Sequence, residues 1–446
     1  MWLLLIASFL FYATWNKWLA VVIALSTLMD FVVGIVMESS GSPLRRKLVL
    51  ALSLTGNLGL LVYFKYMKFF IESIQSPLYA LGFDNVFPVM QVILPIGISF
   101  YTFEAINYTV DVYRRRIPAE RRLTHFMLFI TFFPHLVAGP IVRARDFLPQ
   151  VARMKRWDWA RIQLGAQFFA GGLFKKMAIA DRMALFADPV FASPSQFGSY
   201  AVWIGTLAYT VQIYCDFSGY TDMALGCAHL LGYKLAPNFR APYLSPNVSE
   251  FWRRWHMSLS TWLRDYMFIP LGGSRGSDLR TCRNLLVTMT LGGLWHGASW
   301  TFIAWGLMHG LLLIAHREFQ FFTRQFPGLV LALLSVPGTI ARTFVTFLVV
   351  SLGWILFRAP SFEIADVVFQ RLFIPTKGGA VAIPEVSFWI TFVAVAFGHI
   401  LAQRACWKRW LSRLPPPALG LYYATIVTLA LLLSPADGKP FVYFQF

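Results

Sequence analysis

Charge is what this sequence has least of. Only 13% of its 446 residues are Asp, Glu, Lys or Arg, against 57% hydrophobic. A water-soluble domain carries about a quarter charged residues, so a soluble core-and-shell protein is excluded. Cysteine is scarce too. Cys215, Cys227, Cys282 and Cys406 make no CxxC pair, which removes a secreted disulfide framework and leaves small apolar packers as the default reading. No HxxxH or HExxH occurs, so no metal site is expected. The one GxSxG match, Gly272 to Gly276, falls in the flexible, basic stretch "PLGGSRG" and not on a strained strand-to-helix turn, which argues against a Ser-His-Asp hydrolase. Low-complexity segments and internal repeats are missing. The start, "MWLLLIASFLFYATW", has no basic n-region and no clear cleavage site, so a removed signal peptide is not expected.

What is present is apolar sequence in long runs. A helix needs roughly 20 apolar residues to cross a bilayer. Spans are predicted near 18–37, 48–69, 94–112, 201–231, 284–316 (room for two helices), 329–357, 386–403 and 418–434, with shorter stretches near 2–14, 124–142 and 164–180. The pattern predicts an all-α polytopic integral membrane protein of about ten helices, some crossing and some re-entrant, in a single membrane domain over 1–446.

The net charge is +18. On a soluble chain that would suggest nucleic acid. Here the basic residues cluster in short loops between apolar runs: "PLRRK" (43–47), "RRRIPAERR" (114–122), "RARDFLPQVARMKR" (143–156), "RGSDLRTCR" (275–283) and "RACWKRWLSR" (404–413). This is the positive-inside pattern. It speaks for topology and anionic membrane lipid, not for nucleic acid, and such a mouth would also attract a phosphate-rich ligand. Two of these loops flank one apolar segment. If both face the cytoplasm, the segment must dip and return, and "FFPHLVAGP" (132–140) supplies the Pro and Gly for the turn. That would set His135 beside an interior pocket.

Three stretches could carry chemistry. In "SPNVSEFWRRWHMSLSTWLRDYMFIPLGGSRG" (245–276), Asn247 can cap a helix with Glu250 three residues on. A helix running to about Tyr266 would put Trp255, Leu259, Trp262 and Tyr266 on one face and Trp252, His256 and Ser260 on another. Arg253 and Arg254 lie beside them; an interfacial helix with snorkelling arginines is the bland alternative. In "YCDFSGYTDMALG" (214–226), Asp216 and Asp222 sit inside an apolar segment. Such carboxylates pair with something or line a functional path, and pairing with an arginine of another helix would explain them without catalysis. In "LGGLWHGASW" (291–300), His296 stands between Trp295 and Gly297; His309 lies in an apolar helix further on.

A neutral imidazole accepts a proton near neutral pH. With no metal set and no triad, a lone histidine suits a substrate already activated, such as a thioester attacked by a hydroxyl. Trp295 and Trp300 would keep water away, and His256 could orient the acceptor or stabilise the oxyanion. A transporter or channel with an Asp/His proton path, or a silent scaffold for a secreted enzyme, remain competing readings.

These motifs closely resemble the membrane-bound O-acyltransferase family, in particular its bacterial alginate O-acetylation branch. The resemblance runs through "LPIGISFYTFEAINYTVDVYR" (94–114), "FFPHLVAGPIVR" (132–143), "GLFKKMAIADR" (172–182), "YTVQIYCDFSGYTDMALG" (209–226), "FWRRWHMSLSTWLRDYMFIPLGG" and "LWHGASWTFIAWGLMHG", in order. It implies a ring of tilted, re-entrant and interfacial helices around a central tunnel in the inner (cytoplasmic) membrane. It implies cytoplasmic acyl-CoA, commonly acetyl-CoA, as donor, with no permanently bound cofactor. It further implies an exported polysaccharide such as alginate as acceptor, and often a periplasmic or extracellular SGNH-type acyltransferase partner. His296 matches the family's tunnel histidine and His256 its second histidine. Arg253, Arg254, Trp295 and Lys175 are candidate donor-binding residues. "PFVYFQF" (440–446) resembles the end of a small companion protein in teichoic-acid D-alanylation, which makes Tyr443 a candidate acyl relay; an interfacial aromatic anchor would look the same. Relatives carry another apolar segment before "LLLIASFLFYATW", whereas this chain begins almost at that motif.

Overall fold

The computed structural model describes residues 1–83, 92–404, 411, 413–436 and 438–442. These residues are helical, with one isolated β-bridge between Phe197 and Gly379. Among the described residues, five stretches are long and apolar enough to cross a membrane: Lys17–Ser39, Pro43–Ala80, Val336–Arg358, Glu385–Gln403 and Pro416–Leu433. The chain divides into two compact units, Met1–Ile162 with Cys227–Ala236, and Gln163–Gly226 with Pro237–Phe446.

In the first unit, α2 (Lys17–Ser39), α3 (Pro43–Leu61) and α5 (Ile98–Tyr113) pack together. Asn16 caps α2 and Ser42 caps α3 through side-chain oxygens. The basic loop at 114–122 is followed by α6 (Leu123–Thr131) and α7 (Phe133–Leu136), and the basic stretch expected as a loop at 143–156 is helical over α8 (Ala144–Ala152). The nine residues of α6 rise only about 14 Å, under half of a roughly 30 Å hydrocarbon layer. The helix ends at Phe132, two residues before Pro134. The break is buried almost throughout, so its backbone needs internal partners. Helix α5 supplies them. Glu104 and Asn107, one turn apart, face the break: Glu104 accepts the Val142 N–H (2.8 Å), and Asn107 donates to the Val142 carbonyl (2.8 Å) and accepts from the Ala144 N–H. His135 does not face an open pocket. It is fully buried, with Nε2 3.1 Å from Glu104 and Phe132 and Phe147 against its ring.

The second unit is built on an aromatic core in which Trp255, Trp305 and Trp354 are fully buried. Two helices in it, α14 (Asp278–His296) and α15 (Trp300–Thr323), are capped by Ser277 and Ser299 and occupy the predicted 284–316 span as two separate rods. They cross with backbones nearly touching. A Cβ on Gly293 would lie 2.3 Å from the Phe302 carbonyl oxygen, and one on Gly306 would lie 2.3 Å from the Met289 carbonyl oxygen. Small residues at such crossings let van der Waals packing replace the missing hydrophobic drive. The 329–357 span is likewise two pieces, α16 (Pro327–Leu334) and α17 (Val336–Arg358), parted where Ser335 caps α17 ahead of Pro337.

The expected continuous helix from 247 to 266 is not formed. Asn247 caps α12 (Val248–Arg254) as expected, accepting the Glu250 N–H at 2.8 Å. The helix then stops, because His256 is left-handed (φ 42°, ψ 54°), and α13 (Met257–Leu263) starts afresh. The orphaned amides are met from elsewhere: Met257 donates to the Asn238 carbonyl and Ser258 to the Asn238 side chain. The break turns the His256 ring into the core, away from the face a straight helix would have given it.

Candidate functional site

The break and the helix crossing bring two imidazoles together. His296 is the last residue of α14, and His256 sits at the α12/α13 break; both are buried, with ring centroids 6.2 Å apart. Trp295 touches both, its ring 5.1 Å from His296 and 6.1 Å from His256. Trp305 (5.2 Å) and Phe357 (5.2 Å) stand edge-on to His296, and Phe217 (4.7 Å) stands edge-on to His256. Trp300, expected to wall the site, is 55% exposed; Trp305, one turn further along α15, fills that role with Phe357.

Neither ring nitrogen of His256 has a hydrogen-bond partner among the described residues. The two seven-residue helices that flank it are too short to span, and burial pushes its imidazole down to about 3. It is therefore neutral at physiological pH, with one N–H to donate and one lone pair to accept. Leaving a buried polar group unmet costs about 1–3 kcal/mol, and a fold that carries such a group generally uses it. His309, on α15, is a second such case: it is fully buried, both its nitrogens are unmet among the described residues, and Trp305 and Trp252 pack on it.

The other sequence candidates are dispersed. Arg254 is held by Glu250 (Nε–Oε1 2.8 Å), and Arg253 is mostly exposed, 3.8 Å from the same carboxylate. Lys175 pairs with Asp222 at 2.6 Å, and Lys176 pairs with Asp216 at 2.6 Å. These two carboxylates are thus paired, with lysines of the 175–180 π-turn in place of the expected arginine. Tyr443 lies outside the described residues. Sequence reasoning missed Glu104, although a Glu in the apolar run "YTFEAINY" was a signal. It also missed Phe357, which had none.

The first unit, taken by itself, carries a basic groove of about 710 Å³, lined by Arg153, Lys155, Arg156, Arg161, Lys234 and the 157–159 Trp pair. Partial burial, then Arg161 and Arg153, lower the Lys155 ammonium below its usual value. Adding an anion would relieve that crowding of positive charge.

Comparison with known proteins gives the family. The model of MBOAT, the membrane-bound O-acyltransferase family, matches residues 114–352, which include both histidines. The chain is 37% identical to the probable alginate O-acetylase AlgI of Pseudomonas putida, over 100% of this chain and 94% of that protein. It is 42% identical to the probable alginate O-acetylase AlgI of Pseudomonas syringae pv. tomato, over 83% of this chain and 69% of that protein. It is 38% identical to the peptidoglycan O-acetyltransferase of Helicobacter pylori, over 82% of this chain and 72% of that protein. Its apolar helices and these bacterial relatives fit a multi-pass protein of the inner membrane. With a match across more than half of its length and relatives aligned along most of theirs, the chain belongs to the membrane-bound O-acyltransferase family and is an acyltransferase of that family.

Proposed function

We propose that this acyltransferase takes an acetyl group from cytoplasmic acetyl-CoA and passes it across the membrane for O-acetylation of an exported polysaccharide. The carrying observation is the buried His296–His256 pair sharing one tryptophan. His296 accepts the proton of an acceptor hydroxyl as its oxygen attacks the thioester carbonyl. The carbon–sulfur bond breaks, and the proton returns to the departing thiolate. His256, neutral and with its ring nitrogens unmet among the described residues, offers an N–H to the oxyanion or to the acceptor oxygen. The aromatic wall keeps water from a thioester that would otherwise hydrolyse. Alginate is the acceptor class named for the relatives. In this reading Tyr443 receives the acyl group first, and a secreted SGNH-type acyltransferase completes delivery.

The test incubates purified protein with acetyl-CoA labelled in the acetyl group and maps the label by mass spectrometry. Label on Tyr443, absent in Tyr443→Phe, is the expected result. Label persisting elsewhere in Tyr443→Phe removes the relay and leaves the acyltransferase.

A further inference from the structure

A row of carboxylates holds the end of the chain, and the transfer chemistry does not use them. Asp181 and Asp188 are seven residues apart on α10 (Asp181–Ala192), on one helix face. Asp216 lies on α11 (Ser199–Leu230), next to Phe217. Asp216 is 1% exposed. Its Oδ2 accepts the Val442 backbone N–H at 2.7 Å, and its Oδ1 lies 2.6 Å from Lys176 Nζ. The same ammonium reaches Asp181 at 2.8 Å. Asp188 binds Arg358 through one oxygen (3.0 Å) and the Lys439 ammonium through the other (3.3 Å). Phe441 and Val442 are buried, and Phe441 stacks on Tyr220 with ring centroids 4.6 Å apart.

A chain end stays loose unless something ties it down. Apolar burial alone would tolerate sliding. A buried carboxylate on one backbone N–H does not, since a slip would set a carbonyl against it. One lysine between Asp181 and Asp216 also leaves negative charge in excess, and the tail answers it with an N–H donor and Lys439. The clamped segment reaches the site wall, because Phe441 packs on Phe217 (6.0 Å) and Phe217 packs on His256 (4.7 Å).

We propose that Asp216, with Lys176, Asp181 and Asp188, clamps residues 439–442 in one register against the Phe217 wall of His256. Asp216 is then a positioning residue. The clamp does not rest on the relay reading above.

Hydrogen exchange on the purified full-length protein in detergent tests it. Asp216→Ala should speed exchange in the Val442-containing peptide about tenfold to a hundredfold, the worth of a hydrogen bond to a charged group. Peptides of α10 and α11 should stay protected, and Asp216→Asn, which keeps an acceptor, should fall between. Val442→Pro removes the donor without touching α10 or α11. It should give the same functional signature as Asp216→Ala: transfer to acceptor falls while release of coenzyme A by hydrolysis persists. Unchanged exchange in Asp216→Ala overturns the clamp. So does equal loss of protection in α10, α11 and the tail, which would leave Asp216 a helix-packing residue. A tail that loosens in Asp216→Ala while Tyr443→Phe stays fully active supports the clamp and removes the relay.

Discussion

His296→Ala should lower acyl transfer by about two to four orders of magnitude, the usual worth of a positioned general base. Protein level and melting temperature in detergent should stay near wild type. The imidazole packs against Trp295, Trp305 and Phe357, and these rings remain in contact with one another through Trp305 and Phe357, so the variant keeps most of its surroundings. His256→Ala should cost less than His296→Ala, because a donor to developing charge is worth about two to three orders. The double variant should fall little below His296→Ala, since groups acting as one unit are not additive. The measurement is label transferred from acetyl-CoA to the acceptor, with free coenzyme A followed separately. A His296→Ala protein that transfers at the wild-type rate would return the chain to a scaffold role.

Gly293→Ala should be nearly as damaging to activity, through the backbone. The added methyl would sit 2.3 Å from the Phe302 carbonyl oxygen and 2.9 Å from Gly306. These are backbone atoms of α15, which cannot rotate away. The two helices must part, and overpacking of a tight core costs about 1–3 kcal/mol or more. Parting them also moves His296, three residues beyond the contact. Gly292→Ala is the matched control: its nearest neighbour is the tip of the Leu263 side chain at 3.0 Å, which can shift. The pair should therefore split, with Gly293→Ala losing melting temperature and turnover and Gly292→Ala losing little of either. Equal behaviour would show that the crossing does not set the histidine.

The helical membrane architecture was legible because apolar run length is a direct response to the bilayer, and the turn at 132–140 was legible because Pro and Gly cannot hide. His256 and His296 were both identifiable as polar groups in costly places. Their approach was not. It depends on the break after Trp255, and every local signal from Asn247 to Tyr266 favours an unbroken helix. The break is held by Asn238, which is distant in sequence and adjacent only in the fold. The lysine partners of Asp216 and Asp222 were hidden for the same reason: an ion pair across helices leaves no periodicity. Conversely, Trp300 looked like a wall because it is near His296 in sequence, but the helix start at Ser299 turns it outward.

The backbone at His256 has a practical corollary for anyone engineering this enzyme. A side chain with a β-carbon in the left-handed region costs about 1–2 kcal/mol that glycine avoids. Libraries sorted for heat resistance alone would therefore drift toward glycine or asparagine at 256, and the hardiest clones would be among the least competent. Any such campaign has to sort on turnover in the same round.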